Sequence, residues 1–230
     1  MKKIKISSEV IYLLALLLIS LAVAMCTSSD FGVSMIVAPA YILSLKIEGL
    51  SFGYSEYIVQ GLLFIAFCIV MKKFRWVYLM SFVTSLLYGR LLDFWMTVIP
   101  HFNPSVYATG SLPLPLRIVY LAGGMVLTSF AVALFFRTYI CPQVYDYFVK
   151  KVTEKYGFNR VKFKYIYDGI CLLTACCMTL VFFHGFKGIG IGTVIMTICN
   201  SFLINASGKF IDRFLEIKPA WPKTADWFEK

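Results

Sequence analysis

The chain has 230 residues, 60% of them hydrophobic and 15% charged, with a formal net charge of +10 and a mean hydropathy of +0.78. Soluble domains carry about 25% charged residues, so this composition excludes a soluble globular protein and describes one polytopic membrane domain over residues 1–230. The basic residues flank apolar runs without a glycine–aromatic recognition motif, which argues against nucleic acid as a partner.

Lys2, Lys3 and Lys5 precede an apolar run at 9–25 that ends Ala22-Val23-Ala24, the outline of a cleavable secretory signal. Cleavage would remove the opening helix of the first half, whereas the second half keeps a counterpart at 114–136. The run is therefore read as a retained span. Met25 before Cys26 also disfavours a lipobox. Further apolar stretches follow at 57–71, 76–98, 114–136, 165–183 and 189–210, each near the roughly 20 residues that a crossing requires. Between the first two lies 31–45, FGVSMIVAPAYILSL, short and interrupted by Gly32 and Pro39.

Charge decides whether 31–45 crosses. If it does not, Lys2, Lys3 and Lys5 share the cytoplasmic side with Lys72, Lys73, Arg75, Arg137, Lys150, Lys151, Lys155, Arg160, Lys162, Lys164, Arg213, Lys218 and Lys223. The outer loops then keep little more than Lys46, Arg117 and Lys187. The positive-inside rule thus selects six crossings with both termini cytoplasmic and a tail at 211–230. Residues 9–100 and 112–210 each hold three crossings, an odd number. The second copy must therefore start from the opposite side, as in an inverted repeat.

The short segments correspond as well. Residues 31–45 are apolar enough to dip into the bilayer, where non-helical backbone needs cover from protein or water. Residues 142–156, PQVYDYFVKKVTEKY, place Val144, Tyr147, Phe148 and Val152 on one helical face and read as an amphipathic surface helix. The expected fold is all-α: six transmembrane helices in two inverted three-helix repeats, each with a short re-entrant or amphipathic helix.

The stretches GVSMIVAPAYILSL, FGYSEYIVQ, FRWVYLMSFVTSLLYGRLLD, ALFFRTYICPQVYDYFVK and GIGIGTVIMTICNSFLI, followed by GKFIDRF, together cover nearly the whole chain. In that order they resemble a bacterial family of uncharacterised integral membrane proteins within the YczE/YyaS/YitT group. Val33-Ser34-Met35 and Cys141-Pro142-Gln143 stand where the wider group has a GPxD-like turn. The resemblance implies a multi-pass protein of the bacterial cytoplasmic membrane and carries no substrate-binding residues over to this chain.

Charged residues within spans cost roughly 2.5–3.5 kcal/mol each on insertion scales and mark cavities or partners. Arg90 and Asp93, three apart on one helix, are expected to pair. Aligning Phe74 with Phe186 sets Asn205 opposite Asp93 and Asn200 opposite Tyr88, so Arg90, Asp93, Asn200 and Asn205 form the expected substrate site between the copies. Setting Gly61 against Gly169 makes Gln60 and Asp168 equivalent, with Lys164 within reach of Asp168. The glycine run 188–192 serves either close packing or an anion at a helix start. His101 and His184 fall on the outer side without a ligand motif. Cys68, Cys171, Cys176, Cys177 and Cys199 lie in apolar helices as small hydrophobes, and no metal, cofactor or catalytic motif is expected.

These features point to a small-molecule transporter or permease rather than an enzyme, with 31–45 lining the path. An accessory membrane protein that binds a partner or captures substrate is the alternative, ahead of an intramembrane enzyme. Expected partners are membrane lipids and a small molecule, with a second copy or another membrane protein as further candidates.

Overall fold

Apolar runs bounded by polar turns give eight helices in the computed structural model, which describes residues 3–103, 106–107, 110–222, 225 and 228. Lys2, Lys223 and the side chain of Arg160 lie outside the described residues. In chain order the helices are α1 (Ser8–Ser28), α2 (Ala38–Lys46), α3 (Phe52–Met71), α4 (Trp76–Val98), α5 (Leu114–Phe135), α6 (Val144–Tyr156), α7 (Arg160–Phe183) and α8 (Ile191–Phe214). Six of them, α1, α3, α4, α5, α7 and α8, are long and apolar enough to cross a membrane, as a multi-pass membrane protein requires. Helices α3 and α7 each start about a turn earlier than hydropathy suggested, through polar residues that still continue the helix.

The helices are apolar outside as well as in the core, unlike a soluble bundle, and bury polar residues among their apolar ones. On α3, Ile58, Leu62, Ile65 and Ile69 recur at helical spacing and stay exposed, Leu62 at 64%. The opposite face buries Ser55, Glu56 and Gln60 completely. Helices α7 and α8 likewise expose Ile170, Leu173, Ile198 and Phe202. Such a surface suits hydrocarbon on every side.

Helix α1 is the most enclosed of the six, packing on α5 and α4, while α5 in turn packs on α8. The α1–α5 crossing is close because small residues line it. A Cβ on Gly124 would stand 2.9 Å from the Ala22 carbonyl oxygen, and one on Gly123 would stand 2.9 Å from the Met25 methyl. Helix α2 packs on α3 and α7, and α6 packs on α3, α4 and α7. The amphipathic character of α6 is therefore covered by protein: Val144, Tyr145, Tyr147, Val149 and Val152 are buried among neighbouring helices rather than resting on a lipid surface.

Helix α3 begins where it does because of a side chain from α4. Ser51 caps it by accepting from the Tyr54 amide at 3.1 Å and donates to Asp93 Oδ2 at 2.6 Å, while the Gly53 amide donates to Asp93 Oδ1 at 2.8 Å. Asp93 thus satisfies a free amide of the first turn and places negative charge at the positive end of the helix. Helix C-termini fall at turns such as Lys72, whose φ of 50° ends α3.

Segments close to the two termini pair with each other. Residues Ile4–Ser7 (β1) and Leu215–Lys218 (β2) form a parallel two-stranded ribbon, a small exception to an all-helical fold. Glu9 accepts from the amides of Ala220 and Trp221 and from Tyr139 OH, and Arg137 grips Asp212 with two bonds of 2.6 Å. This terminus end also carries Met71, whose carbonyl accepts from Lys155 Nζ.

Two outcomes test this account. Gly124→Leu forces α1 from α5 and is expected to cost about 1–3 kcal/mol, the range for overpacking, read as a lower melting temperature in detergent. Asp93→Ala is expected to cost about 1–2 kcal/mol through the lost cap, whereas Arg90→Ala stays within about 0.5 kcal/mol, measured in the same melts.

Candidate functional site

The chain twice leaves helical geometry, just before α2 and just before α6. Each break is held by the other half. Thr84 on α4 donates to the Cys141 carbonyl at 2.9 Å, and Ser85 accepts from the Val144 amide at 3.2 Å. Correspondingly, Thr193 on α8 donates to the Val33 carbonyl at 2.7 Å, and the Gly192 amide donates to the Phe31 carbonyl at 2.8 Å. The 188–192 glycine run packs closely against this break. A Cβ on Gly192 would stand 2.8 Å from the Phe31 oxygen, so the strap closes only without side chains.

Around the second break lies a buried polar cluster. Glu56, Gln60 and Ser85 are 0% exposed, Tyr88 1%, Gln143 4% and Tyr145 4%. Gln60 Nε2 donates to Glu56 Oε2 at 2.9 Å and to Gln143 Oε1 at 3.4 Å; Tyr145 OH donates to Glu56 Oε2 at 3.1 Å; Ser85 donates to Gln60 Oε1. Helices α3, α4 and α6 thus share one hydrogen-bond network. It is incomplete: Glu56 Oε1, Tyr88 OH and Gln143 Nε2 are buried without a partner. Orphaned polar atoms are rare in native cores, and each costs about 1–3 kcal/mol.

Tyr88 and Gln143 line a central cavity of about 50 Å³ together with Ser34 and Val37 before α2, Tyr145 and Asp146 at the start of α6, Lys164 of α7 and Asn200 of α8. Both short helices therefore begin at this cavity, one from each half. Asp146 and Lys164 also border a second cavity of about 150 Å³ with Phe136 and Lys150, toward the terminus end. Lys164 pairs with Asp168 at 3.3 Å, and burial raises the Asp146 carboxyl above its usual range against the opposing influence of Lys164. At the far end, Tyr41, Phe52, Asp93 and His101 line a wider cavity of about 460 Å³.

The four residues singled out from sequence do not assemble. Arg90 is exposed, with its guanidinium over the Tyr54 ring at 5.8 Å, and makes no ion pair with Asp93. The reason is that Tyr88, Gly89 and Leu92 take the inward face of α4, while Asp93 turns to the start of α3. Asn205 is exposed on α8. Asn200 alone reaches the central cavity, where its Oδ1 accepts from Ser129 at 3.2 Å. Gln60 proves central, whereas its aligned partner Asp168 sits with Lys164. His101 bonds Tyr120 at 2.8 Å. Among the described residues no cluster of His, Cys, Asp or Glu is placed to hold a metal, and all seven cysteines are unpaired.

Glu56 escaped the sequence reading because the apolar run appeared to begin at 57. Its signal was an acid four residues before Gln60 on a helix whose intervening residues are apolar or aromatic.

No curated protein and no solved structure matches this chain. Over residues 6–209 it matches a family of unknown function, DUF6198, and the chain belongs to that family.

Proposed function

We propose that the protein is a small-solute transporter or permease of the bacterial cytoplasmic membrane, built as two inverted three-span repeats around the central cavity. The observation that carries this reading is the cavity itself, mid-bundle and lined by Tyr88 and Gln143, whose OH and Nε2 are buried without a partner. Polar side chains left without partners at that depth suit a ligand that passes through better than a packed core.

The packing supports the repeat. Exchanging α1–α4 for α5–α8 turns α1·α4 into α5·α8, α2·α3 into α6·α7, and α2·α7 into α6·α3, all of which occur. The two threonine bonds to Cys141 and Val33 exchange in the same way, at the turn positions matched in the sequence. The exchange is imperfect, since α3 lies along α4 more fully than α7 along α8. Cytoplasmic termini are favoured by charge: Lys5, Lys72, Lys73, Arg75, Lys150, Lys151 and Lys155 belong to the terminus end, against Lys46, Arg117 and Lys187 at the other.

Within this reading Tyr88, Gln143, Tyr145 and Asn200 contact the solute, and Arg90, Asp93 and Asn205 do not. The test is stopped-flow light scattering of proteoliposomes challenged with urea, glycerol, formate, acetate, ammonium and chloride. One solute is expected to cross faster than in protein-free vesicles. Gln143→Leu and Tyr88→Phe are each expected to slow it about tenfold, the equivalent of one buried hydrogen bond, while Arg90→Ala and Asn205→Ala change it less than about twofold. Equal rates with and without protein for every solute would move support to the accessory-protein reading.

A further inference from the structure

We propose that Glu56 is a reversible proton-binding site that exchanges its proton with water at the terminus end through the central cavity. The proposal deepens the transporter reading by naming the proton as the coupled species, and it rests on that reading only for the coupling.

The geometry is that of a carboxyl with no cation. Glu56 is fully buried, yet it makes no ion pair, and its partners are the neutral groups Gln60 Nε2 and Tyr145 OH, both on Oε2. A buried carboxylate is expected to find a cation or take up a proton, because the desolvation cost of an unpaired charge is several kcal/mol or more. Here a proton is the species the surroundings accommodate. Oε1 is left unpartnered, and so is the nearby Tyr88 OH. Protonation forms a bond between Oε1 and H⁺ and makes the group neutral; release breaks that bond, and the electron pair stays on the carboxylate. No oxidant or reductant enters the step.

The surroundings also supply a route. Tyr145 bonds Glu56 and lines the central cavity; Asp146, next to it, borders both that cavity and the larger one toward the terminus end. The titratable groups around Glu56 are Tyr88 of α4 and Tyr145 of α6, with Cys26 of α1 and Asp93 near Tyr88 and Tyr167 of α7 near Tyr145. From α2, Tyr41 packs on Phe52 at the start of α3. Lys164, the lysine on the central cavity, is already committed to Asp168. In the first half the aligned pair is Glu56 and Gln60; in the second it is Lys164 and Asp168. The site that lacks the lysine is the one left to bind a proton.

The test needs no transported solute. Infrared difference spectra of the full chain in lipid nanodiscs, taken between acid and alkaline pH, report the protonated-carboxyl stretch, which shifts in deuterated water. A reversible band is expected that titrates with pH and disappears in Glu56→Gln. Tyr145→Phe removes a donor to the charged form and is expected to move the midpoint upward by about one pH unit. Carboxyl bands identical in wild type and Glu56→Gln at every pH would overturn the proposal. Should Glu56→Gln fail to fold, Tyr145→Phe decides: an unmoved midpoint overturns it. A titrating Glu56 in a protein that passes no solute would retain the proton site and reject transport, so the two readings fail separately.

Discussion

The arrangement depends on how the chain satisfies irregular backbone in apolar surroundings. Residues 31–37 and 138–143 leave helical geometry inside a bundle whose outer faces are isoleucine, leucine and phenylalanine. Without water, each free amide or carbonyl there would cost several kcal/mol, so partners must come from protein. They come from opposite halves: α4 holds the break before α6, and α8 holds the break before α2. Crossed support of this kind interlocks the halves and fixes where both short helices begin. It also explains Gly32, whose φ of 97° and contact with Gly190 and Thr193 leave no room for a side chain.

Once the breaks are satisfied, the remaining polarity needs its own account. Ser85 is needed for the Val144 amide, but Glu56, Gln60, Tyr88 and Gln143 bond no backbone group at the break. A core shaped for stability alone would do as well or better with apolar side chains of similar volume, because desolvating a charge offsets most of what pairing returns. Three orphaned atoms in one network make that cost larger. By this reckoning the cluster costs stability rather than adding it, and it stands where the two short helices start. That coincidence is the physical ground for treating it as the site.

The long apolar helices were legible in the sequence, since hydropathy marks each of them. The depth of the short segments was less so. Residues 142–156 carry three lysines and an amphipathic pattern, which composition alone cannot tell from a surface helix, because protein cover and lipid cover ask for the same apolar face. Arg90 and Asp93 misled for a related reason. Spacing of three permits a pair, but the unsatisfied start of α3 offered Asp93 two donors at 2.6 and 2.8 Å, and Arg90 was free to turn outward to Tyr54. Tertiary capping by a distant helix leaves no local signature. Gln143 and Tyr145 were hidden similarly, inside a segment whose burial depends on helices far away in sequence.

In the proposed repeat, the chemistry lies in how the two halves differ. At aligned positions one half places Glu56 and Gln60, the other Lys164 and Asp168. The second pair is closed on itself at 3.3 Å and stands beside the cavity toward the terminus end. The first is enclosed, lacks a cation and leaves an unpartnered oxygen in electrostatic reach of a phenol that is unpartnered too. An ammonium at Glu56 would have neutralised the site permanently, and a second acid at Lys164 would have left a repelling carboxylate beside Asp146 and Asp168. Opposite charges at equivalent places give one half a fixed pair and the other a group whose charge depends on what is bound.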